Sequence, residues 1–300
     1  MLFTIFAKDT QMNNTKISIV WTDTRNPEYY FTPNWATKLP KYFKRNYEFS
    51  FFALTDTNSA IEKDDGNTIW LKSDYKTLTY GVTRFAEPDI LIIIGASNFN
   101  FENLFGKAKK KIFIHKGLEH RKSDYNLFDL VITETESDRK HYKTSVCQPV
   151  VDTESYNFIN IDKHFPAFFP QEISDKNYDF FDNVRLYGSI ATNVSRGLKL
   201  PLKRHDLLNM IFNQSKVVSL LEDFDSFELA LSALACNVPV VALSDTKASE
   251  IPVVLHAKKD EKNFINAQVK ALKQNYDFRN DYILPNFTVE KIAGIIQSII

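Results

Sequence analysis

Apolar residues fall along the first half of the chain in short runs, each closed by polar residues and followed by a stretch with apolar positions three and four apart. KISIVW (16–21), YEFSFFAL (47–54), NTIWL (67–71), PDILIII (88–94), KKIFIH (110–115) and FDLVIT (128–133) are rich in β-branched and aromatic residues. They do not alternate strictly, which is the texture of strands covered on both faces. Between them, PNWATKLPKYFKRN (33–46), DYKTLTYGVTRFAE (74–87) and ETESDRKHYKT (134–144) have helical spacing. The first is compromised by Pro40, whose ring clashes with the carbonyl one turn back. Strand then helix, repeated, is the pattern of a parallel sheet with crossover helices.

The texture changes at NIDKHFPAFFPQEISDKNYDFF, where Pro, aromatics and charges follow no clear period, and this segment reads as an interdomain connection. A second series follows: VRLYGS (184–189), HDLLNMIFNQS (205–215), KVVSLL (216–221), FELALSALACN (227–237), VPVVALS (238–244) and IPVVLHA (251–257), then helical spacing in 264–276 and 287–300. Two α/β series predict two Rossmann-like lobes, residues 1–160 and 161–300, with ligands in a cleft at the carboxyl ends of the strands. In the last helix, Ile292, Ile295, Ile296 and Ile299 form one apolar stripe.

Composition narrows the classes. The 300 residues are 44% hydrophobic, enough for a large core, and 37 basic residues balance 37 acidic ones. A net charge of zero supplies no field to draw in nucleic acid or an anionic membrane, so nucleic acid is disfavoured as a partner. Cys147 and Cys236 stand far apart without metal or redox spacing, the pattern of buried thiols in a reducing compartment. The N-terminal MLFTIFAKDTQM lacks a basic n-region and a small-residue cleavage site and reads as a strand. No apolar run approaches the ~20 residues that span a bilayer, so a cytoplasmic protein is expected. There is no phosphate-binding Gly-rich loop and no clustered Cys/His metal motif.

The stretch EDFDSFELALSALACNVPVVAL (222–243) holds the densest local chemistry. In D-S-F-E, Asp225 can cap a helix while Glu228 returns a bond to the cap, a capping box. The helix that follows is apolar nearly all round and so buried, and Asn237 tolerates the left-handed conformation that ends it. Strand ends supply further candidates: Gly95, Ser97 and Asn98 follow ILIII, and His115 and Lys116 follow KIFI. Histidine is the side chain best matched to proton transfer near neutral pH, although a lone histidine is more often structural.

S-A-L-A-C-N-V-P-V-V, preceded by E-D-F-D-S-F-E, resembles the second-lobe signature of retaining GT-B glycosyltransferases, E-G-F-G-L-x-x-L-E-A-M-A-C-G-x-P-V-V. FDLVITETESDRKHYK, QPVVDTESYNF, HDLLNMIFNQSKVVSLL and the closing FTVEKIAGIIQSI are similar to the family's flanking elements. About half of the chain is covered by the likeness. It implies a GT-B fold, the last helix crossing back to brace the first lobe, and retaining transfer of a sugar from a nucleotide-sugar donor to a hydroxyl acceptor. It also implies no cofactor and no catalytic metal.

Site residues carried by the likeness are Glu222, beside His115, for catalysis and Gly188, Arg196, Lys199, Asp225, Ser226, Phe227, Glu228 and Ser232 for the donor. Gly95, Ser97, Asn98 and Lys116 would face the acceptor. The departures matter: Ser232 occupies the slot of the second glutamate of the family's Glu-x7-Glu, and an uncharged hydroxyl holds a ribose weakly. That departure keeps open a non-catalytic nucleotide-sugar binder or partner subunit. A DNA-base glycosyltransferase is a further alternative, opposed by the neutral charge. The acids at the start of the 227–237 helix oppose a diphosphate there unless a cation intervenes.

Overall fold

The computed structural model describes residues 15–22, 34–43, 47–54, 60–63, 69–95, 101–115, 127–140, 142, 144–193, 205–223 and 225–300. In the first lobe β1 (Thr15–Trp21), β2 (Tyr47–Leu54), β3 (Ala60–Lys63), β4 (Ile69–Ser73), β5 (Ile90–Gly95), β6 (Lys110–His115), β7 (Leu130–Thr133) and β8 (Ser145–Cys147) form one sheet. Its order is β3-β4-β2-β1-β5-β6-β7-β8, parallel except for the edge strand β3, which is antiparallel to β4. The centre of this sheet is dry on both sides. In β5, Ile90, Ile92 and Ile94 pack into one core cluster while Leu91 and Ile93 pack into another, so a continuous apolar run serves two faces. That is why the run showed no alternation.

Short helices carry the crossovers: α1 (Asn34–Lys38), α2 (Tyr75–Tyr80), α3 (Glu102–Phe105) and α4 (Glu136–Arg139). Pro40 ends α1 in a 3₁₀ turn over Leu39–Tyr42 rather than allowing the longer helix expected over 33–46. A π-helical turn, Gly81–Ala86, extends α2, and a Cβ at Gly81 would lie 3.1 Å from the Phe52 ring.

The second lobe is built from β9 (Phe168–Glu172), α5 (Asp175–Val184), β10 (Ile190–Asn193), α6 (His205–Gln214), β11 (Val218–Leu220), α7 (Ser226–Ala235), β12 (Val240–Leu243), β13 (Leu255–Ala257) and α8 (Glu261–Ala271). Its parallel sheet has the order β10-β9-β11-β12-β13. Two expectations fail here. The segment read as a connection contains β9 and α5, and VRLYGS is the turn before β10 rather than a strand. Pro170 hid the strand, since it cannot donate to an interior ladder. The Gln171 side chain repairs the loss: Oε1 accepts from the Leu221 and Glu222 amides at 2.9 and 3.0 Å, and Nε2 donates to the Glu222 carbonyl at 2.5 Å.

The chain passes between lobes twice. On the way out, Asp152 is buried and accepts from Lys38 Nζ at 2.6 Å, Ser155 Oγ at 2.6 Å and the Glu154 and Ser155 amides at 3.1 Å. The Arg279 guanidinium then clamps this segment to the end of α7 by donating to the carbonyls of Thr153, Tyr156 and Ala235. On the way back, α9 (Leu284–Asn286) leads into α10 (Val289–Ser298), and the Val151 amide meets the Phe287 carbonyl at 2.9 Å. Val289, Ile292, Ala293 and Ile296 of α10 bury into the first lobe's core with Ile17, Ile92 and Ile114, while Ile295 and Ile299 are partly covered.

Two outcomes follow from these packings. Ile292→Ala empties a fully buried site between α10 and the first sheet and is expected to cost about 2–5 kcal/mol in urea denaturation. Ile300→Ala, at an exposed position, is expected to stay within about 0.5 kcal/mol. Burial pushes the Asp152 carboxyl up, but bonds from Lys38 and Ser155 outweigh it and leave it below its ordinary value of 3.8. A depressed carboxylate stabilises the fold above its unfolded value and loses that contribution as pH falls through the folded one. Unfolding free energy measured below about pH 4 is therefore expected to fall more steeply for the parent than for Asp152→Asn.

Candidate functional site

The carboxyl ends of the two parallel sheets meet at the lobe boundary. From the first lobe come His115, the last residue of β6, and α4, which starts just beyond β7. From the second comes the 3₁₀ turn Lys247–Glu250, which follows β12 and packs on α7. Across the gap the Lys247 ammonium lies 3.3 and 3.2 Å from the two carboxylate oxygens of Asp138. Beside it, Ser137 Oγ donates to Glu250 Oε1 and the Ser137 amide to Oε2 at 3.4 Å.

Asp138 is the hub. Thr135 caps α4 by accepting from the Asp138 amide at 3.1 Å, and its hydroxyl donates to Asp138 Oδ2 at 2.7 Å. His115 Nδ1 stands 3.9 Å from the same oxygen, close enough for charge attraction and too far for a hydrogen bond. Its ring is wholly buried, 5.7 Å from Tyr142 and 5.9 Å from Phe113 between centroids. Burial pushes the Asp138 carboxyl up, but the Thr135 bond and the charges of Lys247 and His115 win and hold it below its ordinary value. It is therefore ionised at neutral pH.

On the second lobe, α7 begins as a strained turn. Asp225 has φ 53° and its side chain caps nothing, so the expected capping box does not form. The start is held instead by tertiary bonds: Asp223 Oδ1 accepts from the Lys247 amide at 2.6 Å and Ser226 Oγ from the Ala248 amide at 3.1 Å. Phe227 is buried in the core beneath. The helix ends as expected, with Asn237 at φ 58° and paired bonds from Asn237 N to Leu234 O at 2.9 Å and Val238 N to Ala233 O at 3.0 Å.

The remaining candidates divide. Gly95 closes β5 opposite His115 at φ 133°, a conformation that favours glycine. Glu222 Oε1 accepts from the Ser174 amide at 2.8 Å and the Ser174 hydroxyl at 2.6 Å, which fastens the start of α5. Ser232 is buried and bonds the Tyr156 phenol. Burial raises that phenol's pKa well above its ordinary value, and the nearby Glu228 charge adds to the shift. Gly188 stands two residues before β10 at φ 82°, a conformation that favours glycine. Ser97, Asn98, Lys116, Arg196 and Lys199 lie outside the described residues.

Asp138, Lys247 and Tyr156 were not singled out from the sequence. Two of them carried a signal: Thr135-x-x-Asp138 has capping spacing directly after a strand, and Lys247 follows VPVVALS, at a strand's carboxyl end. Burial pushes the thiols of Cys147 and Cys236 up to about 11 and about 12, so neither is a nucleophile at neutral pH. Among the described residues, no helix is long and apolar enough to cross a membrane.

No family model matches the chain, and no curated protein matches it by sequence. Solved structures do. Sucrose-phosphate synthase from Thermosynechococcus elongatus superposes with a TM-score of 0.67 over 95% of this chain and 98% of that one, at 9% identity. UDP-GlcNAc 2-epimerase from Methanocaldococcus jannaschii, solved with UDP-GlcNAc and UDP, gives 0.57 over 95% and 100% at 12% identity. An alpha-glucosyltransferase solved with UDP and DNA gives 0.56 over 95% and 98% at 11% identity. Two Rossmann-like lobes, a first sheet of mainly parallel strands and a second five-stranded one, give this chain the GT-B fold.

Proposed function

We propose that the chain is a glycosyltransferase that moves a sugar from a nucleotide-sugar donor to a hydroxyl acceptor. The observation that carries this reading is the convergence of His115, Asp138 and Lys247 where the carboxyl ends of both sheets meet, the crevice at which α/β sheets bind ligands. The structural neighbours solved with UDP or a UDP-sugar support a uridine diphosphate donor. In the transfer, the bond from the anomeric carbon to the diphosphate oxygen breaks and a bond to the acceptor oxygen forms. The acceptor's proton leaves with the diphosphate. Retention of configuration and independence from metal belong to the same proposal, as does a cytoplasmic setting. Rate comes from positioning and from neutralising the departing diphosphate.

Residue roles follow the resemblance and the strand-end positions read from the sequence. Glu228, in the first turn of α7, accepts donor hydroxyls, and Arg196 and Lys199 neutralise phosphate. His115, covered at the end of β6, orients the acceptor through Asp138, 3.9 Å from its Nδ1. Gly95, with Ser97, Asn98 and Lys116, shapes the acceptor side. Neutral overall charge argues against a DNA acceptor, even though one neighbour was solved with DNA. A second reading, binding without catalysis, draws on Ser232, which is bonded to Tyr156 in the slot where the related signature has a glutamate.

Incubation with a panel of UDP-, GDP- and ADP-sugars separates the readings. Slow release of free nucleotide is expected, binding without release supports the second reading, and no binding of any donor contradicts both. Glu228→Gln keeps the side chain's shape and an acceptor oxygen and is expected to change stability by no more than about 1 kcal/mol. It should weaken donor affinity by about ten- to a hundredfold in titration calorimetry. His115→Asn is expected to slow transfer by about a hundredfold at unchanged donor affinity.

A further inference from the structure

We infer that Lys247 is a ligand of the donor's diphosphate and that Asp138 is the anion it exchanges on donor binding. The inference rests on the functional reading above and adds a residue to it. The backbone of Lys247 is fixed by the elements that start α7: its amide donates to Asp223 at 2.6 Å and the next amide to Ser226 Oγ at 3.1 Å. The ammonium therefore leaves from the turn beside the first residues of α7, where Asp223, Asp225 and Glu228 would otherwise repel a diphosphate. A cation supplied at this point removes that conflict.

The ion pair has the form of an exchangeable contact. Lys247 keeps 27% of its side-chain exposure while Asp138 keeps 6%, so the flexible lysine stem can swing between anions while the carboxylate stays in place. Nor does departure of the lysine strand Asp138. The Thr135 hydroxyl bonds Oδ2 at 2.7 Å and His115 Nδ1 stands 3.9 Å from the same atom. The lobes do not depend on this pair alone as a brace, because Ser137 and Glu250 also join the same two turns. Among the described residues, Asp138 faces the Lys247 ammonium with His115 behind it, and Asp223 accepts from the Lys247 backbone amide on the same lobe.

Titration calorimetry of the full chain with UDP, inorganic pyrophosphate and uridine tests the assignment on Lys247→Gln, Lys247→Arg and Asp138→Asn. Lys247→Gln is expected to weaken UDP and pyrophosphate by about ten- to a hundredfold and to leave uridine unchanged. Lys247→Arg, which keeps the charge, is expected to recover most of the loss. Asp138→Asn is expected to tighten UDP by about two- to tenfold, because the competing anion is gone. A purely bracing pair predicts that losing either partner shifts UDP affinity in the same direction, and that result overturns the assignment. So does UDP binding by Lys247→Gln that matches a UDP-binding parent, which leaves the functional reading standing. A parent that binds none of UDP, GDP and ADP overturns the functional reading and this assignment with it.

Discussion

Asp152 sits where the chain leaves its first lobe, buried against a lysine of that lobe and bonded to the two amides that turn the chain toward the second. A carboxylate out of water persists only where its oxygens are met by donors, so this one ion pins α1, the crossing segment and the lobe boundary to one geometry. Arg279 does the matching work on the other side, tying the crossing segment to the end of α7 through three carbonyls. The return crossing completes the frame: α10 lends Ile292 and Ile296 to the core of the first lobe although it follows the second in the chain. Held at both crossings, the two sheets present their carboxyl ends to each other.

That arrangement explains the concentration of charge at the boundary. Strand ends and helix starts leave backbone donors and acceptors without ladder partners, and polar side chains gather to meet them: Thr135 at the start of α4, and Asp223 and Ser226 at the 3₁₀ turn after β12. Once gathered in a partly desolvated gap, charges act on one another strongly. Asp138 is ionised in spite of burial because a hydroxyl, a lysine and a histidine all face it. In the proposed function, the same gap neutralises the leaving diphosphate.

The fold was legible in the sequence wherever a strand was a plain apolar run. YEFSFFAL and KKIFIH were bounded to the residue, and Asn237 was read as the end of α7. It was illegible where tertiary bonds replaced local signals. β9 carries a proline and is completed by the side chain of Gln171, a substitution that no periodicity records. D-S-F-E has capping-box spacing, yet Asp225 turns left-handed and the start of α7 is held by partners from beyond β12. Of the candidate site, His115 was visible by its place at a strand end. Its neighbours Asp138 and Lys247 lie more than a hundred residues apart, and nothing local pairs them.

The central claim is that the boundary between the lobes is a nucleotide-sugar site. Hydrogen–deuterium exchange of the intact chain with and without a saturating UDP-sugar tests it most directly. The account predicts added protection concentrated at the start of α4, the first turn of α7 and the turn that carries Lys247, with the outer edges of both sheets unchanged. Protection confined to those outer edges, or none with any UDP-sugar, would contradict it.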